Sequence, residues 1–93
     1  MQHGTLPEGL EFQRATDEFT ATSVPEGLRR AHRVAPGVWG LLKLHAGTLR
    51  FVWEDDPDAP VELAAGDSVV IEPDRRHHVE PGDDARFQIE FHR

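Results

Sequence analysis

Short apolar stretches alternate with turn-forming residues along the whole chain. Seven prolines and eight glycines interrupt the sequence, and the stretches between them are rich in Val, Ile, Leu, Phe and Trp. This spacing is typical of an all-β sandwich or barrel, because short strands each need a turn before the next one begins. The predicted strands are VWGLLKLH (38–45), TLRFVW (48–53), VELA (61–64), SVVIE (68–72), HHVE (77–80) and ARFQIEFH (85–92), with a seventh around LRRAHRV (28–34).

Two connections between these strands have a clear local signal. Ala46 and Gly47 form a tight turn, which predicts that the strands on either side of it pair as a hairpin. The run EDDPDAP (54–60) contains four acidic residues and two prolines, so we expect a polar loop there and not a strand.

The 93 residues are enough for one domain with a thin core, since a chain of this length buries only about two-thirds of its unfolded surface. We find no internal repeat and expect a single domain over residues 1–93. Within it, segment 1–27 should pack across one sheet, and the barrel strands should come from residues 28–92. An edge strand on so small a barrel favours pairing with a second copy, so we expect a homodimer.

The last predicted strand has two different faces. Phe87, Ile89 and Phe91 share one face, whereas Gln88, Glu90 and His92 share the other. The polar face would meet water in a half-exposed sheet, or it would line the cavity of a barrel with a functional interior. The alternation is consistent with both arrangements.

Charge and composition narrow the classes of partner. The net charge is −7, with 10 basic and 17 acidic residues, which argues against a nucleic-acid-binding domain. Without cysteine, a metal ion can be held only by histidine, carboxylate or amide groups. The chain has neither a long apolar run nor the pattern of a signal peptide, so we expect a cytoplasmic protein with no membrane partner. The classes of partner that fit this composition are therefore small molecules, metal ions and other proteins.

The stretch IEPDRRHHVEP (71–81) contains the first candidate for chemistry. Adjacent side chains on a strand point to opposite faces, so His77 and His78 cannot both face the interior. We assign His78 to the outer face with Glu80, which leaves His77 for the interior.

GDSVVIEPDRRHH resembles the second sequence motif of the cupin superfamily. The motif starts at Gly66, and His77 falls on its metal-binding histidine. Glu72 stands at the proline position and Asp74 at the second glycine position, whereas Pro81 replaces the asparagine expected four residues after the histidine. The first cupin motif is represented only in part, by His32 in place of paired histidines and by Gly40 at its usual glutamate position.

A narrower resemblance covers residues 6–91. LPEGLEF, TSVPEGLRRAHRVAPGVWGLLKLHAGTLRF, VIEPDRRHHVEP and ARFQIEF together resemble the small cupin-like domains found alone in bacteria or at the N-terminus of some tellurite-resistance B methyltransferases. The resemblance implies a cupin-type double-stranded β-helix and points to His32, His77 and Glu90 as metal ligands. The methyltransferase part is not present in this sequence, so methyl transfer is not implied. Ala46 stands where the family often has an acidic residue, which removes a fourth ligand, and Arg76 replaces a proline or aromatic residue.

The chemistry of this trio agrees with the resemblance. Two imidazoles and one carboxylate are a common ligand set for iron, zinc, manganese or nickel, and they leave coordination positions open for water or substrate. Each residue also has a simpler interpretation. His32 lies among arginines and could be a surface residue, and His77 could be a hydrogen-bonded core histidine. His45 is expected to be an exposed turn residue and is a spare ligand.

Arginines near the two histidines suggest a basic rim around a cavity, which would suit an anionic ligand. The predicted rim residues are Arg33, Trp39, Arg75 and Arg76. The alternative is that these arginines pair with the surplus carboxylates and that Trp39 fills the core.

The functional hypothesis is a metal-binding small cupin that binds or transforms a small, anionic molecule, with a protective role in a tellurite-resistance-like context. If it is an enzyme, the metal would act as a Lewis acid or an oxygen-activating centre. No residue other than Glu90 is an evident general acid or base, which favours binding or redox chemistry over hydrolysis. The alternatives are a non-catalytic ligand-binding or sensing module and a metal-free dimeric interaction domain.

Overall fold

The computed structural model describes residues 1–30 and 32–93. Within these residues the chain forms nine strands and a single 3-10 turn, which spans Glu26–Arg29. The strands are β1 (Gln2–His3), β2 (Phe12–Ala15), β3 (Phe19–Thr20), β4 (Trp39–Ala46), β5 (Thr48–Trp53), β6 (Val61–Ala64), β7 (Ser68–Ile71), β8 (His77–Pro81) and β9 (Arg86–His92).

The strands form two sheets. In the six-stranded sheet the order is β1-β7-β4-β9-β2, and β3 also pairs with β9; in the three-stranded sheet it is β6-β5-β8. Only β1 and β7 run parallel; the other pairs described are antiparallel. Within residues 1–30 and 32–93, neither sheet closes on itself. The prediction of an all-β domain is confirmed, and the cupin-type double-stranded β-helix stays a prediction.

The hydrophobic core lies between the two sheets. Alternate residues of each strand point into it, as the pleat of a strand requires. The six-stranded sheet contributes Leu42, Leu44, Val69, Ile71, Phe87 and Ile89, and the three-stranded sheet contributes Leu49, Phe51, Leu63 and Val79. Burial of these side chains is the main stabilising contribution in a domain with no disulfide.

The six clear strands of the sequence analysis match β4 to β9 to within one residue at each end. The predicted hairpin between β4 and β5 is wrong, because β4 pairs with β7 and β9 whereas β5 pairs with β6 and β8. Gly47 is the corner at which the chain crosses between the sheets. Its φ is 73°, and a Cβ there would lie 2.6 Å from the carbonyl of Asp84. This close approach of two backbone segments requires glycine.

The predicted strand over residues 28–34 is wrong for the part that the structure describes. Pro25 precedes the 3-10 turn with φ −57°, and the amide of Leu28 donates to the carbonyl of Pro25 at 2.9 Å. Proline's fixed φ suits the start of a helical turn, so the chain turns here instead of extending. Only His32 makes a strand-like bridge, with His77. Ala31, within the predicted strand, lies outside the described residues.

The N-terminal segment 1–27 was expected to pack across a sheet. In the structure it contributes three short strands to the six-stranded sheet, with β1 next to β7 and both β2 and β3 next to β9. The expected division of the chain stays a prediction. In the described part of the chain, no helix has the length and apolar character needed to cross a membrane.

Candidate ligand-binding cleft

A cleft opens where the N-terminal strands, the segment around His32 and the last strand meet. It has two halves, which share the lining residues Arg14, His32, Val34 and Phe91. The outer basin has a volume of about 460 Å³ and is also lined by Gln13, Arg33, Ala35, Val38 and Arg93. The inner chamber has a volume of about 210 Å³ and is also lined by Thr16, Phe19, Pro25, Gly27, Leu28, Ile71, His77 and Ile89. The outer basin is therefore rich in arginine, and the inner chamber is mostly apolar.

Arg14 lies at the boundary between the outer basin and the inner chamber. The register of β2 on β9 sets Arg14 opposite Phe91, and its guanidinium carbon lies 4.6 Å from the centre of that aromatic ring. An aromatic face stabilises a cation held over it, and stacking restricts where the side chain goes. None of the ion pairs among residues 1–30 and 32–93 involves Arg14. Its charge is thus available to a ligand.

Arg33, in the outer basin, is already neutralised. Its guanidinium lies 3.1 Å from the carboxylate of Asp74, whose backbone amide donates to the carbonyl of Val34 at 2.8 Å. Asp74 has a φ of 55°, a left-handed conformation that aspartate tolerates better than most residues. These contacts tie the turn before β8 to the wall of the cleft.

His77 forms part of the inner chamber from within the core. Its side chain is 1% exposed, and its ring stacks on Phe51 with 5.1 Å between centroids. Its Nδ1 lies 3.1 Å from the carbonyl oxygen of Arg75. A carbonyl only accepts, so Nδ1 carries the proton and Nε2 keeps its lone pair. Burial lowers the pKa of His77 to about 4, although the bond to the Arg75 carbonyl works in the other direction.

His32 joins the cleft to β8. It exchanges two backbone hydrogen bonds of 2.7 Å with His77, and the two rings meet edge to face with centroids 5.5 Å apart. Its Nδ1 is buried and has no hydrogen-bond partner in the described chain. Burial also lowers the pKa of His32. Both imidazoles are therefore neutral near pH 7, and the unpartnered Nδ1 of His32 is a polar group that needs a structural or functional explanation.

The structure brings together two of the three predicted metal ligands. Glu90 points to the opposite face of β9 from Ile89 and Phe91, where its carboxylate lies 2.7 Å from the Nζ of Lys43 and 3.2 Å from the Nε2 of His92. Partial burial opposes ionisation of Glu90, but the bonds to Lys43 and His92 outweigh it and lower the pKa. Among the described residues no cluster of three or more His, Asp or Glu could hold a metal ion.

The predicted rim residues lie in different places. Arg33 lines the outer basin, whereas Trp39, Arg75 and Arg76 line neither half of the cleft. Trp39 is on the outer side of β4, opposite His92 in register. Arg75 stacks on Trp53 at 4.0 Å, and its guanidinium also pairs with the carboxylates of Asp55 and Glu72, at 2.7 and 2.8 Å.

Arg14 is the functional candidate that sequence reasoning missed. It follows Phe12 and Gln13 in a segment that was not assigned to a strand, so its side chain had no assigned face. The available signal was a lone basic residue in a short β-prone stretch, which is weak without knowledge of the pairing with β9.

The remaining internal histidines lie outside the cleft. His78 points outward, where its Nε2 lies 2.8 Å from Glu80 and its Nδ1 contacts Glu54, in agreement with the expected outer-face position. His45 is exposed and its Nδ1 lies 2.8 Å from Glu18. Neither residue lines the outer basin or the inner chamber.

Comparisons with known proteins extend these observations. A search of curated protein sequences finds no match. A crystal structure of a protein from E. coli (strain K12) matches with a TM-score of 0.88 and 26% identity, over 96% of this chain and 95% of that one. The crystal structure of TehB from Haemophilus influenzae matches with a TM-score of 0.82 and 24% identity. That match covers 91% of this chain but only 32% of the TehB chain, so this protein corresponds to about a third of it. The sequence model of the TehB-like domain family matches residues 14–89, so the chain belongs to that family.

Proposed function

We propose that this domain binds a small anionic molecule in the cleft and does so without transforming it. The observation that carries the proposal is the guanidinium of Arg14, which lies in the wall of the cleft without a carboxylate partner in the described chain. Arg14 is exposed to solvent, so on a protein with a net charge of −7 its guanidinium is accessible to an anion in the cleft. An anion bound there would supply the missing countercharge.

The lining of the cleft supports binding over catalysis. Among the described residues that line the two halves, Thr16 is the one with a hydroxyl group. That hydroxyl donates to the carbonyl of Asp17 at 2.8 Å and accepts from the amide of Ile89 at 3.1 Å, so it is held in place and is not activated by a neighbouring base. Nucleophilic catalysis needs an activated nucleophile, which these contacts do not provide.

The test is a binding measurement with a matched pair of variants. Isothermal titration with acetate, benzoate, phosphate and tellurite should detect at least one anion, and Arg14→Gln should weaken it about tenfold or more, as expected for a hydrogen-bonded charge. Arg86→Gln is the control, because Arg86 is exposed and pairs with Glu18 outside the cleft. Equal affinities in parent and Arg14→Gln would exclude this site. Tellurite is included because the relationship to the TehB-like family suggests a protective role against that oxyanion.

A second candidate function is the binding of a divalent metal ion, namely iron, zinc, manganese or nickel, by His32 and His77. The unpartnered Nδ1 of His32 and the free Nε2 of His77 favour it, since neutral imidazoles are good ligands for all four ions. When bound, such an ion would polarise an oxygen of the small molecule, while the protein residues hold that molecule in the cleft. Metal content by mass spectrometry should then be about one equivalent in the parent and much lower in His32→Phe. Metal-free parent protein after supplementation would rule this candidate out.

A further inference from the structure

The inner chamber suggests which kind of anion the cleft accepts. We propose that the ligand is a small amphipathic carboxylic acid, whose carboxylate lies between Arg14 and His32 and whose apolar body fills the inner chamber. This inference rests on the proposed function and assigns it a chemical class. Residues that line both halves of the cleft mark the position of the carboxylate, and residues that line only the inner chamber mark the position of the apolar body.

The carboxylate position follows from the boundary residues. Arg14 and His32 each line both halves, so a group bound between them sits where the outer basin meets the inner chamber. The guanidinium supplies a charged donor. His32 also lines both halves, and because its Nδ1 is buried, the ring nitrogen that would donate to the ligand is Nε2, in the tautomer that protonates it. Two donors from different segments that line the same boundary suit the two oxygens of a carboxylate.

The charge of the ligand follows from the state of the nearby arginines. Arg33 is paired with Asp74 at 3.1 Å, and Arg93, which makes no ion pair in the described chain, lines only the outer basin. Arg14 is therefore the uncompensated cation among the described residues shared by both halves. One uncompensated positive charge favours a monoanion. A dianion such as phosphate would bring a second negative charge into a protein that already carries a net charge of −7.

The body of the ligand follows from the chamber walls. Beyond the boundary residues, the chamber is lined mainly by apolar side chains, which are Phe19, Pro25, Leu28, Ile71 and Ile89. The polar groups within the chamber itself are Thr16, whose hydroxyl is already bonded on both sides, and His77, which is neutral. In the chamber, a hydrophilic acid would lose hydrogen bonds to water and find few protein partners to replace them. An alkyl chain or a single ring would instead gain binding free energy from the burial of its apolar surface.

The size of the chamber sets an upper limit to the body. Its volume of about 210 Å³ corresponds to roughly seven water molecules at about 30 Å³ each. A body of up to about seven non-hydrogen atoms therefore fits, and a longer chain would find no further room in the chamber while its carboxylate stays at the boundary.

The test uses the straight-chain acids acetate, butyrate, hexanoate, octanoate and decanoate, titrated into the full chain in the presence of a chelator. Each buried methylene should strengthen binding about fourfold, and the gain should stop by octanoate or decanoate. Arg14→Gln and His32→Phe should each weaken every acid about tenfold, because each removes a hydrogen bond to a charged group. His32→Gln, which restores a donor, should recover part of the loss, and Arg86→Gln should change nothing. A circular dichroism melt confirms that the variants are folded.

The outcomes separate this inference from the function on which it rests. Binding that is independent of chain length but weakened by Arg14→Gln would overturn the amphipathic ligand and leave the anion-binding function intact. Tight binding of phosphate or tellurite with no binding of the acids would do the same. If no acid or inorganic anion binds, both are overturned.

Discussion

His32 and His77 face each other through two backbone hydrogen bonds, each with an N to O distance of 2.7 Å, and their imidazole rings are 5.5 Å apart. This bridge connects His32, which lies outside the nine strands, to β8. On β8, His77 is 1% exposed and stacks on Phe51. The cleft wall is thereby anchored directly to the hydrophobic core. A substitution in the core at Phe51 or His77 should therefore change the affinity for a ligand bound beside His32.

The first prediction concerns stability against acid. Burial holds the pKa of His77 at about 4 in the folded chain, against 6.5 ordinarily. Between these values the unfolded chain binds a proton that the folded chain rejects, so stability falls as the pH is lowered from 6.5 towards 4. A pKa difference of this size corresponds to about 3 kcal/mol. Urea unfolding at pH 7, 5.5 and 4.5 should show most of this loss.

The control for this prediction is His77→Phe, which keeps a planar ring but cannot titrate. Its stability should be lower at pH 7, because the Arg75 carbonyl loses a hydrogen bond, and it should depend less on pH below 6.5. His78 works in the opposite sense, since its bonds to Glu80 and Glu54 outweigh partial burial and raise its pKa. The difference between parent and variant removes that contribution. Parallel pH profiles in the two proteins would contradict the assignment of the acid loss to His77.

The second prediction concerns the corner between the sheets. Gly47→Ala should destabilise the protein by roughly 3 kcal/mol or more. The first cost is the left-handed backbone at this position, which is about 1–2 kcal/mol for a residue with a side chain. The second is the clash of the added Cβ, which would lie 2.6 Å from the backbone of Asp84. Gly37→Ala is the matched control, because Gly37 has a φ of 79° but a Cβ added there would meet no atom within 4 Å. It should cost only the conformational part. Equal losses in urea unfolding would show that the close approach at Gly47 is unimportant.

Gly47 also illustrates which features of the fold can be predicted from the sequence and which cannot. The bounds of β4 to β9 are predictable from short-range information, because alternation and turn residues are local features. Which strands pair is a non-local property. Ala46 and Gly47 have the composition of a hairpin turn, but the chain changes sheet there, and the backbone of Asp84 and Ala85 packs against the glycine. Nothing near Gly47 in sequence signals that contact.

In the candidate site, too, some features are predictable from neighbouring residues in the sequence and others depend on distant strand pairing. The inward direction of His77 is predictable from its neighbour His78, since adjacent residues on a strand face opposite ways. The face of Glu90 is not, because a polar face on β9 fits either water or a cavity until the opposite sheet is known. Arg14 is undetectable for a related reason, as its position in the cleft depends on the pairing of β2 with β9, about 75 residues later in the chain.

The third prediction distinguishes Arg75 from Arg14. Arg75→Gln should destabilise the protein by about 1 kcal/mol, because it removes the stacking on Trp53 and two ion pairs, with Asp55 and Glu72, that are largely exposed. It should leave the affinity for anions unchanged, since Arg75 lines neither half of the cleft. Arg14→Gln should show the reverse pattern. Thermal melts and titration on both variants provide the comparison, and weaker anion binding by Arg75→Gln would restore Arg75 to the rim of the site.

The last prediction concerns Glu90, the third residue of the expected metal set. Its carboxylate pairs with Lys43 and His92 on the outer face of β9, so Glu90→Gln should reduce stability by less than about 1 kcal/mol. Neither anion affinity nor metal content should change, whereas His32→Phe should reduce whichever of the two the parent protein shows. Lys43→Met is the matched control, because it removes the partner of Glu90 from the same face. Loss of bound metal in Glu90→Gln but not in Lys43→Met would mean that Glu90 reaches the histidines in solution, and the outer-face position would then be wrong.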